Sequence, residues 1–200
     1  QLKRFTFSTS NKNTDVRIGH IEANPMVKIN YNNLFIHSHL IGIYNANNIN
    51  AAITIGNYFK VTDNLIKEAI ENYIPENNRS QLIQKNGNEI VLDAYNANPS
   101  SMTAAIMNFI QLDKVNKIAI LGDMFELGNE SLSEHKKVIE LLENQSEIKT
   151  YFIGKDFYAN KLNSNHITFF EDFNSFANFL RERKPTNSLL LIKRSRGMAL

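Results

Sequence analysis

The chain has 200 residues and is 42% hydrophobic, enough for one complete domain plus part of another and too apolar for wholesale disorder. Its 22 basic and 20 acidic residues leave a net charge of +2, too balanced to imply nucleic acid or an anionic membrane surface as a partner. There is no Cys, which excludes a disulfide framework and a thiolate metal site and fits a reducing cytosol.

No apolar run approaches the length of a membrane span. The opening Gln1-Leu2-Lys3-Arg4-Phe5-Thr6 lacks the apolar core of a signal peptide and enters directly into strand-like alternation. The chain is therefore expected to be a piece of something longer. Residues 5–8, 16–22, 27–31 and 34–39 alternate with period two between Asn-rich turns and read as short strands. Helical spacing begins near Asn45, with Ile49, Ala52, Ile53, Gly56 and Phe59 in register, and a second helix follows over residues 63–73. Pro75-Glu76-Asn77-Asn78 is polar and holds a helix breaker, so the domain boundary is placed there.

Beyond the boundary, residues 80–84 and 89–92 flank Lys85-Asn86-Gly87-Asn88, and Asn-Gly is a hairpin turn signal. Asn98 can cap a helix with Pro99 in its first turn, burying Met102, Ala105, Ile106 and Phe109. Residues 117–121 read as a strand. Ser131-Leu132-Ser133-Glu134 has the form of a capping box opening a helix with Val138, Ile139 and Leu142 inward. A strand at 150–153, a short helix, and a strand at 167–170 follow. Asp172 caps a helix carrying Phe173, Phe176, Ala177 and Leu180, and a nearly continuous apolar strand closes the pattern at 188–192. Alternating strands and helices imply right-handed crossovers and a mostly parallel sheet, covered on both faces where strands are wholly apolar.

Open α/β sheets bind ligands beyond the carboxyl ends of their strands. That rule selects Asp93-Ala94-Tyr95-Asn96-Ala97-Asn98, Gly122-Asp123-Met124-Phe125-Glu126, Gly154-Lys155-Asp156 and Lys193-Arg194-Ser195-Arg196. Each residue alone has a structural explanation. Asp93 can end a strand and Asn98 can cap a helix. Asp123 with Glu126 can form a solvated turn, and Lys193, Arg194 and Arg196 a surface charge cluster. Taken together, carboxylates, amides, a hydroxyl and several cations along one edge suit a phosphorylated or zwitterionic ligand. The eight glycines form neither G-x-x-x-x-G-K-[ST] nor G-x-G-x-x-G, so the domain carries no nucleotide-phosphate motif of its own. His20, His37, His39, His135 and His166 lack the spacing of a metal cluster; packing or surface exposure is expected for His135.

Asp93-Ala94-Tyr95-Asn96-Ala97-Asn98-Pro99-Ser100-Ser101-Met102 resembles a signature of the Mur ligase family. Leu121-Gly122-Asp123-Met124-Phe125-Glu126-Leu127-Gly128, with Glu130-Ser131 and His135, is similar to a second motif of its C-terminal domain. The stretch from Leu40 to Ala52 and Ile21-Glu22-Ala23-Asn24-Pro25 resemble the end of its central domain. The resemblance implies an α/β chain. Residues 76–200 would form a Rossmann-like, doubly wound, mostly parallel C-terminal domain, and residues 1–75 the incomplete C-terminal part of the central ATP-binding domain.

The activity so implied is ATP-dependent amide ligation in cytoplasmic peptidoglycan precursor synthesis. D-alanyl-D-alanine would be joined to UDP-N-acetylmuramoyl-tripeptide through an acyl-phosphate, with Mg2+. The phosphate loop and a carbamylated Lys would lie before Gln1, so no catalytic or metal-binding residue is expected in this span and the chain alone is expected to be inactive. Its partner would be the N-terminal part of the same enzyme. The resemblance assigns Asn45, Asn48, Arg79 and Asp93 to ATP. It assigns Tyr95, Asn96, Asn98, Asp123, Glu126, Lys193, Ser195 and Arg196 to the substrate side. Arg194 stands where the family's Lys-Gly-Ser-Arg motif has Gly, and a requirement for positive φ there would strain it. A non-catalytic binding module with this fold, another Mur-type ligase and a folylpolyglutamate-type ligase are the alternatives.

Overall fold

A computed structural model describes residues 4–76 and 78–198. Asn77 of the boundary segment lies outside them. The chain divides into two compact units, Gln1–Pro75 and Glu76–Leu200.

The first unit is a four-stranded sheet, β1 (Phe7–Ser8), β2 (Val16–Ala23), β3 (Met26–Tyr31) and β4 (Leu34–Ile41), in that spatial order. β1 runs parallel to β2, and the other neighbours are antiparallel. Only two residues of the strand expected at 5–8 pair. The β3–β4 turn places Asn32 at φ 46° and Asn33 at 64°, a left-handed pair that Asn tolerates better than other side chains. A 3-10 turn, Ile43–Asn45, leads into α1 (Ala46–Tyr58), and α2 (Asp63–Asn72) follows. Val16, Ile18, Val27, Ile29, Tyr31 and Ile36 of the sheet pack against Ala46, Ile49 and Ile53 of α1 and Ile66 of α2. Phe59, expected to extend the α1 stripe, is instead the residue that ends the helix and is 71% exposed.

The second unit is a six-stranded sheet, with β5 (Gln81–Lys85), β6 (Asn88–Asp93), β7 (Lys117–Gly122), β8 (Ile148–Ile153), β9 (Ile167–Phe170) and β10 (Leu189–Lys193). The spatial order is β5-β6-β10-β7-β8-β9. β5 is antiparallel to β6, and every other neighbouring pair is parallel. The β5–β6 turn has Asn86 at φ 52° and Gly87 at 74°, the two positive values a two-residue hairpin needs.

The connections are α3 (Pro99–Gln111), α4 (Ser131–Glu143), α5 (Lys155–Ala159) and α6 (Phe173–Glu182). Alternate strand residues face opposite ways. Ile118, Ile120, Tyr151, Ile153, Leu190 and Ile192 pack with Phe176, Phe179 and Leu180 of α6. On the other face Phe152 meets Phe157 of α5, and the Lys117 ammonium donates to the carbonyls of Ile110 and Leu112 at the end of α3. That cation sits where the α3 dipole is negative. Helices on both faces make the sheet doubly wound. Met102, Ile106 and Phe109 of α3 are at most 1% exposed, each contributing about 1.5–3 kcal/mol of burial.

The expected capping box at residues 131–134 does not form. A 3-10 turn at Gly128–Glu130 carries the chain into α4, so Ser131 lies inside the helix and its hydroxyl donates to Asp156 Oδ2 at 2.7 Å. Asn98 does cap α3: its Oδ1 accepts from Ser101 N–H at 2.8 Å while Ser101 Oγ accepts from Asn98 N–H at 3.1 Å. Asp172 caps α6 by accepting from Ser175 N–H at 2.8 Å, and that bond leads the hydrogen bonds that hold its carboxyl below the usual carboxylate range.

Candidate functional site: a cationic cleft at the carboxyl edge of the six-stranded sheet

β10 lies between β6 and β7, so the carboxyl ends of three adjacent parallel strands open side by side. Ligands of open α/β sheets bind beyond such carboxyl ends. The ends deliver Asp93–Asn98, Gly122–Glu126 and Lys193–Arg196 to one edge.

A cleft of about 410 Å3 opens at this edge, lined by Asn78, Arg79, Ala94, Tyr95, Arg194 and Arg196. The Tyr95 ring, 37% exposed, is its organising surface. The Arg79 guanidinium carbon lies 3.6 Å from the ring centroid and that of Arg196 5.7 Å. Stacking of this kind is worth roughly 0.5–1 kcal/mol at an exposed site and leaves the N–H donors at the guanidinium edge available. Arg194 is held differently: its Nη1 donates to the carbonyls of Ser195 at 3.0 Å and Arg196 at 3.4 Å, and its Nε–H is buried without an acceptor. Among the described residues no carboxylate pairs with any of these three arginines, and none lines the cleft. The backbone of Arg194 is not among the positive-φ positions, so the expected strain is absent and a side chain is accommodated where the motif has Gly.

Several residues expected to meet a ligand also carry contacts that hold the scaffold. Lys193 is 1% exposed and donates to Asp93 Oδ2 at 2.6 Å and to the Asn96 carbonyl at 3.3 Å. It neutralises Asp93, and neither residue lines the cleft. Ser195, also 1% exposed, accepts from Phe125 N–H at 2.9 Å and donates to the Ala97 carbonyl at 3.4 Å, tying the three strand-end loops together. Asn96 uses its carbonyl on Lys193, and Asn98 uses its side-chain oxygen on the α3 cap.

Asp123 turns inward. Its carboxylate accepts from Asp156 N–H at 3.1 Å and Phe157 N–H at 3.0 Å, capping α5 from outside the helix. Burial raises its pKa above the ordinary carboxylate value, and those two N–H bonds pull against the rise without cancelling it. Gly154, at φ 129°, is the residue that lets α5 approach: a Cβ there would lie 2.2 Å from the Asp123 carboxylate. Glu126 is exposed on this loop, in the left-handed region at φ 65°.

His135 is fully buried. Its Nδ1–H donates to the Ser131 carbonyl at 2.7 Å and its Nε2 accepts from Met124 N–H at 2.9 Å. One donor and one acceptor describe the neutral imidazole, so its 3.5 Å approach to Asp123 Oδ1 is a contact rather than an ion pair. Asp123, His135 and Asp156 bring three ligand-type atoms within 4.8 Å, while His135 Nε2, both Asp123 oxygens and Asp156 Oδ2 each accept a hydrogen bond from the protein.

In the first unit Asn45 is 7% exposed; its amide donates to the Ile41 carbonyl at 2.7 Å and its oxygen accepts from Asn48 at 3.0 Å. Asn48 is exposed. Sequence reasoning assigned no ligand role to three residues of the cleft, Asn78, Ala94 and Arg194. Arg194 was detectable, because the strand-end rule selects its segment. Nothing in the sequence pattern marks Asn78, which reaches the edge because its carbonyl accepts from Ala94 N–H.

Among the described residues no helix is long and apolar enough to cross a membrane. Residues 78–195 match the family described as Mur ligase, glutamate ligase domain. The chain is 30% identical over 128 residues to the UDP-N-acetylmuramoyl-tripeptide--D-alanyl-D-alanine ligase of Rickettsia prowazekii, covering 61% of this chain and 28% of that protein. It is 29% identical over 169 residues to the Bacillus subtilis ligase of the same name, covering 80% of this chain and 37% of that one. The chain thus spans well under half the length of these relatives. A crystal structure of the MurF ligase from Thermotoga maritima in complex with ADP aligns with TM-score 0.74 at 21% identity, over 95% of this chain and 44% of that one. A UDP-N-acetylmuramoylalanyl-D-glutamyl-2,6-diaminopimelate--D-alanyl-D-alanyl ligase from Acinetobacter baumannii aligns with TM-score 0.80 at 24% identity, over 96% of this chain and 43% of that one. With the family match covering more than half its length, the chain belongs to the Mur ligase family through its glutamate ligase domain.

Proposed function

We propose that this chain is the C-terminal portion of a cytoplasmic ATP-dependent amide ligase that joins D-alanyl-D-alanine to UDP-N-acetylmuramoyl-tripeptide. The observation that carries this reading is the cleft of three unpaired arginines around Tyr95, at the strand-end crevice of a Mur ligase domain. Its charge suits the anions of such a reaction: a nucleotide phosphate, an acyl-phosphate or a substrate carboxylate. Both curated relatives carry the name of that activity.

In this reading ATP supplies the phosphoryl group that activates the tripeptide carboxylate, and Mg2+ is held outside the described residues. Arg79 and Arg196, stacked on Tyr95, hold and orient the anion. Arg194 adds a third positive charge beside them. Lys193, Asp93, Ser195 and Asn98 fix the loops from which these groups project. Glu126 is exposed and suits the amine of the incoming dipeptide. Asn48 is the better candidate of the two asparagines for an adenine edge, since the amide of Asn45 is spent on Ile41 and Asn48. The chemistry is positioning and charge neutralisation rather than covalent catalysis by a side chain.

The test is ADP release that depends on D-alanyl-D-alanine, measured for the 200-residue chain and for the same chain extended to the length of its relatives. The extended protein is expected to release ADP only when ATP, Mg2+, the UDP-linked tripeptide and the dipeptide are all present, and the 200-residue chain to release none. Turnover by the short chain, or ADP release by the long one that ignores the dipeptide, overturns the proposal.

A further inference from the structure

We infer that His135 is a positioning residue for the incoming amine: its Nε2 fixes the loop at residues 122–127 and so holds Glu126 at the carboxyl edge of the sheet. The inference rests on the ligase reading, in which Glu126 takes the amine of the dipeptide, and adds a residue that itself touches no substrate.

Where the loop leaves β7, three consecutive backbone N–H groups are each held by a different element. Asp123 N–H donates to the Ile153 carbonyl at the end of β8, at 3.1 Å. Met124 N–H donates to His135 Nε2 on α4 at 2.9 Å. Phe125 N–H donates to Ser195 Oγ, beyond β10, at 2.9 Å. The next residue, Glu126, stands in the left-handed region at φ 65°. A side chain other than Gly persists there only where its surroundings over-determine the backbone, and such positions gather at functional sites. Met124 and His135 are buried, while Phe125 and Glu126, the residues this anchoring delivers, are exposed.

The His135 ring is itself locked. Its Nδ1–H donates to the Ser131 carbonyl of its own helix at 2.7 Å, which leaves Nε2 as the acceptor. The Phe157 ring stands edge-on to it with centroids 4.5 Å apart, and Phe157 packs in turn on Phe152 of β8. Because Met124 is fully buried, solvent does not replace the acceptor once the imidazole is gone. A position that needed only apolar volume would be filled by Leu or Phe; the entering N–H is what requires an imidazole here.

Two measurements test this. The first needs no variant. In the 200-residue chain the Met124 amide should exchange with deuterium as slowly as the amides of β7, and exchange at the rate of an exposed loop would overturn the proposal. The second uses the chain extended to the length of its relatives. His135→Asn keeps a donor near the place of Nδ1 but withdraws the acceptor, whereas His135→Gln can put its amide oxygen where Nε2 stands. His135→Asn is expected to raise the KM for D-alanyl-D-alanine about tenfold while the KM for ATP stays within about twofold, and His135→Gln to remain within about threefold of the parent in both. A merely structural role would lower kcat through the folded fraction and leave both KM values alone, or raise both together, and either result overturns the positioning role. Failure of the ligase reading shows separately, as a parent that releases no ADP in response to the dipeptide, and takes the amine assignment with it.

Discussion

Replacing Lys193 by Met tests the division between scaffold and ligand contacts at this edge. Lys193 sits on the central strand β10, its side chain 2% exposed, 2.6 Å from an Asp93 carboxylate that is 16% exposed. Met fills a similar volume but leaves that carboxylate without its counterion, and the Asn96 carbonyl loses its donor. Breaking a buried pair from one side costs about 3–5 kcal/mol, and the residual solvation of Asp93 places this case near ~3 kcal/mol. With an unfolding entropy of about 2.1 cal/mol/K per residue over Glu76–Leu200, that corresponds to a fall of about 11 °C in Tm. The assay is thermal and urea unfolding of the 200-residue chain by circular dichroism, for Lys193→Met, Asp93→Asn and the double variant. Removing the second charge should recover more than half of the loss, because the penalty lies in the stranded carboxylate rather than in the missing bond. A Lys193→Met cost under about 1 kcal/mol, or strictly additive single variants, would refute the pairing and return Lys193 to the ligand side.

Two further outcomes probe the support beneath the loop at residues 122–126. Gly154→Ala should destabilise by about 2–4 kcal/mol, since its Cβ would strike the Asp123 carboxylate and its φ is unfavourable. Gly128→Ala, with nothing within 4 Å, should cost about 1 kcal/mol, and equal urea midpoints for the two would refute the steric account. Burial raises the folded-state pKa of Asp123 above its unfolded value, so between the two values the folded chain binds more protons than the unfolded one. Stability from this group is then fully present below the unfolded value near about pH 3.9 and is lost as pH rises through the folded value. The Tm deficit of Asp123→Asn relative to the parent should therefore shrink as pH rises from acid to neutral, and a deficit that grows would contradict the burial account.

Local chemistry was legible in the residues themselves. Asn86-Gly87 makes a two-residue hairpin because both can take positive φ, and Asn98-Pro99 opens α3 because the cap needs only neighbours three residues away. The buried stripe of Met102, Ala105, Ile106 and Phe109 follows from helical period alone. The strand-helix alternation was enough to expect a doubly wound parallel sheet, and with it the edge where ligand groups gather. The motif strings were enough to name the family.

What each polar side chain does at that edge was decided by tertiary structure. Lys193, Ser195 and Asp123 are as hydrophilic in sequence as Arg79, Arg194 and Arg196, yet the first three are buried and paired while the second three line the cleft. Asp93 and Lys193 are 100 residues apart and meet only because β10 inserts beside β6 in register. Ser131 was expected to cap α4 from its own four-residue motif, but a 3-10 turn places it inside the helix and Asp156 takes its hydroxyl. A cap is a contest between neighbours a few residues apart, which the sequence displays. A buried ion pair or a shared acceptor depends on which strands adjoin, and that information exists only once the sheet has formed.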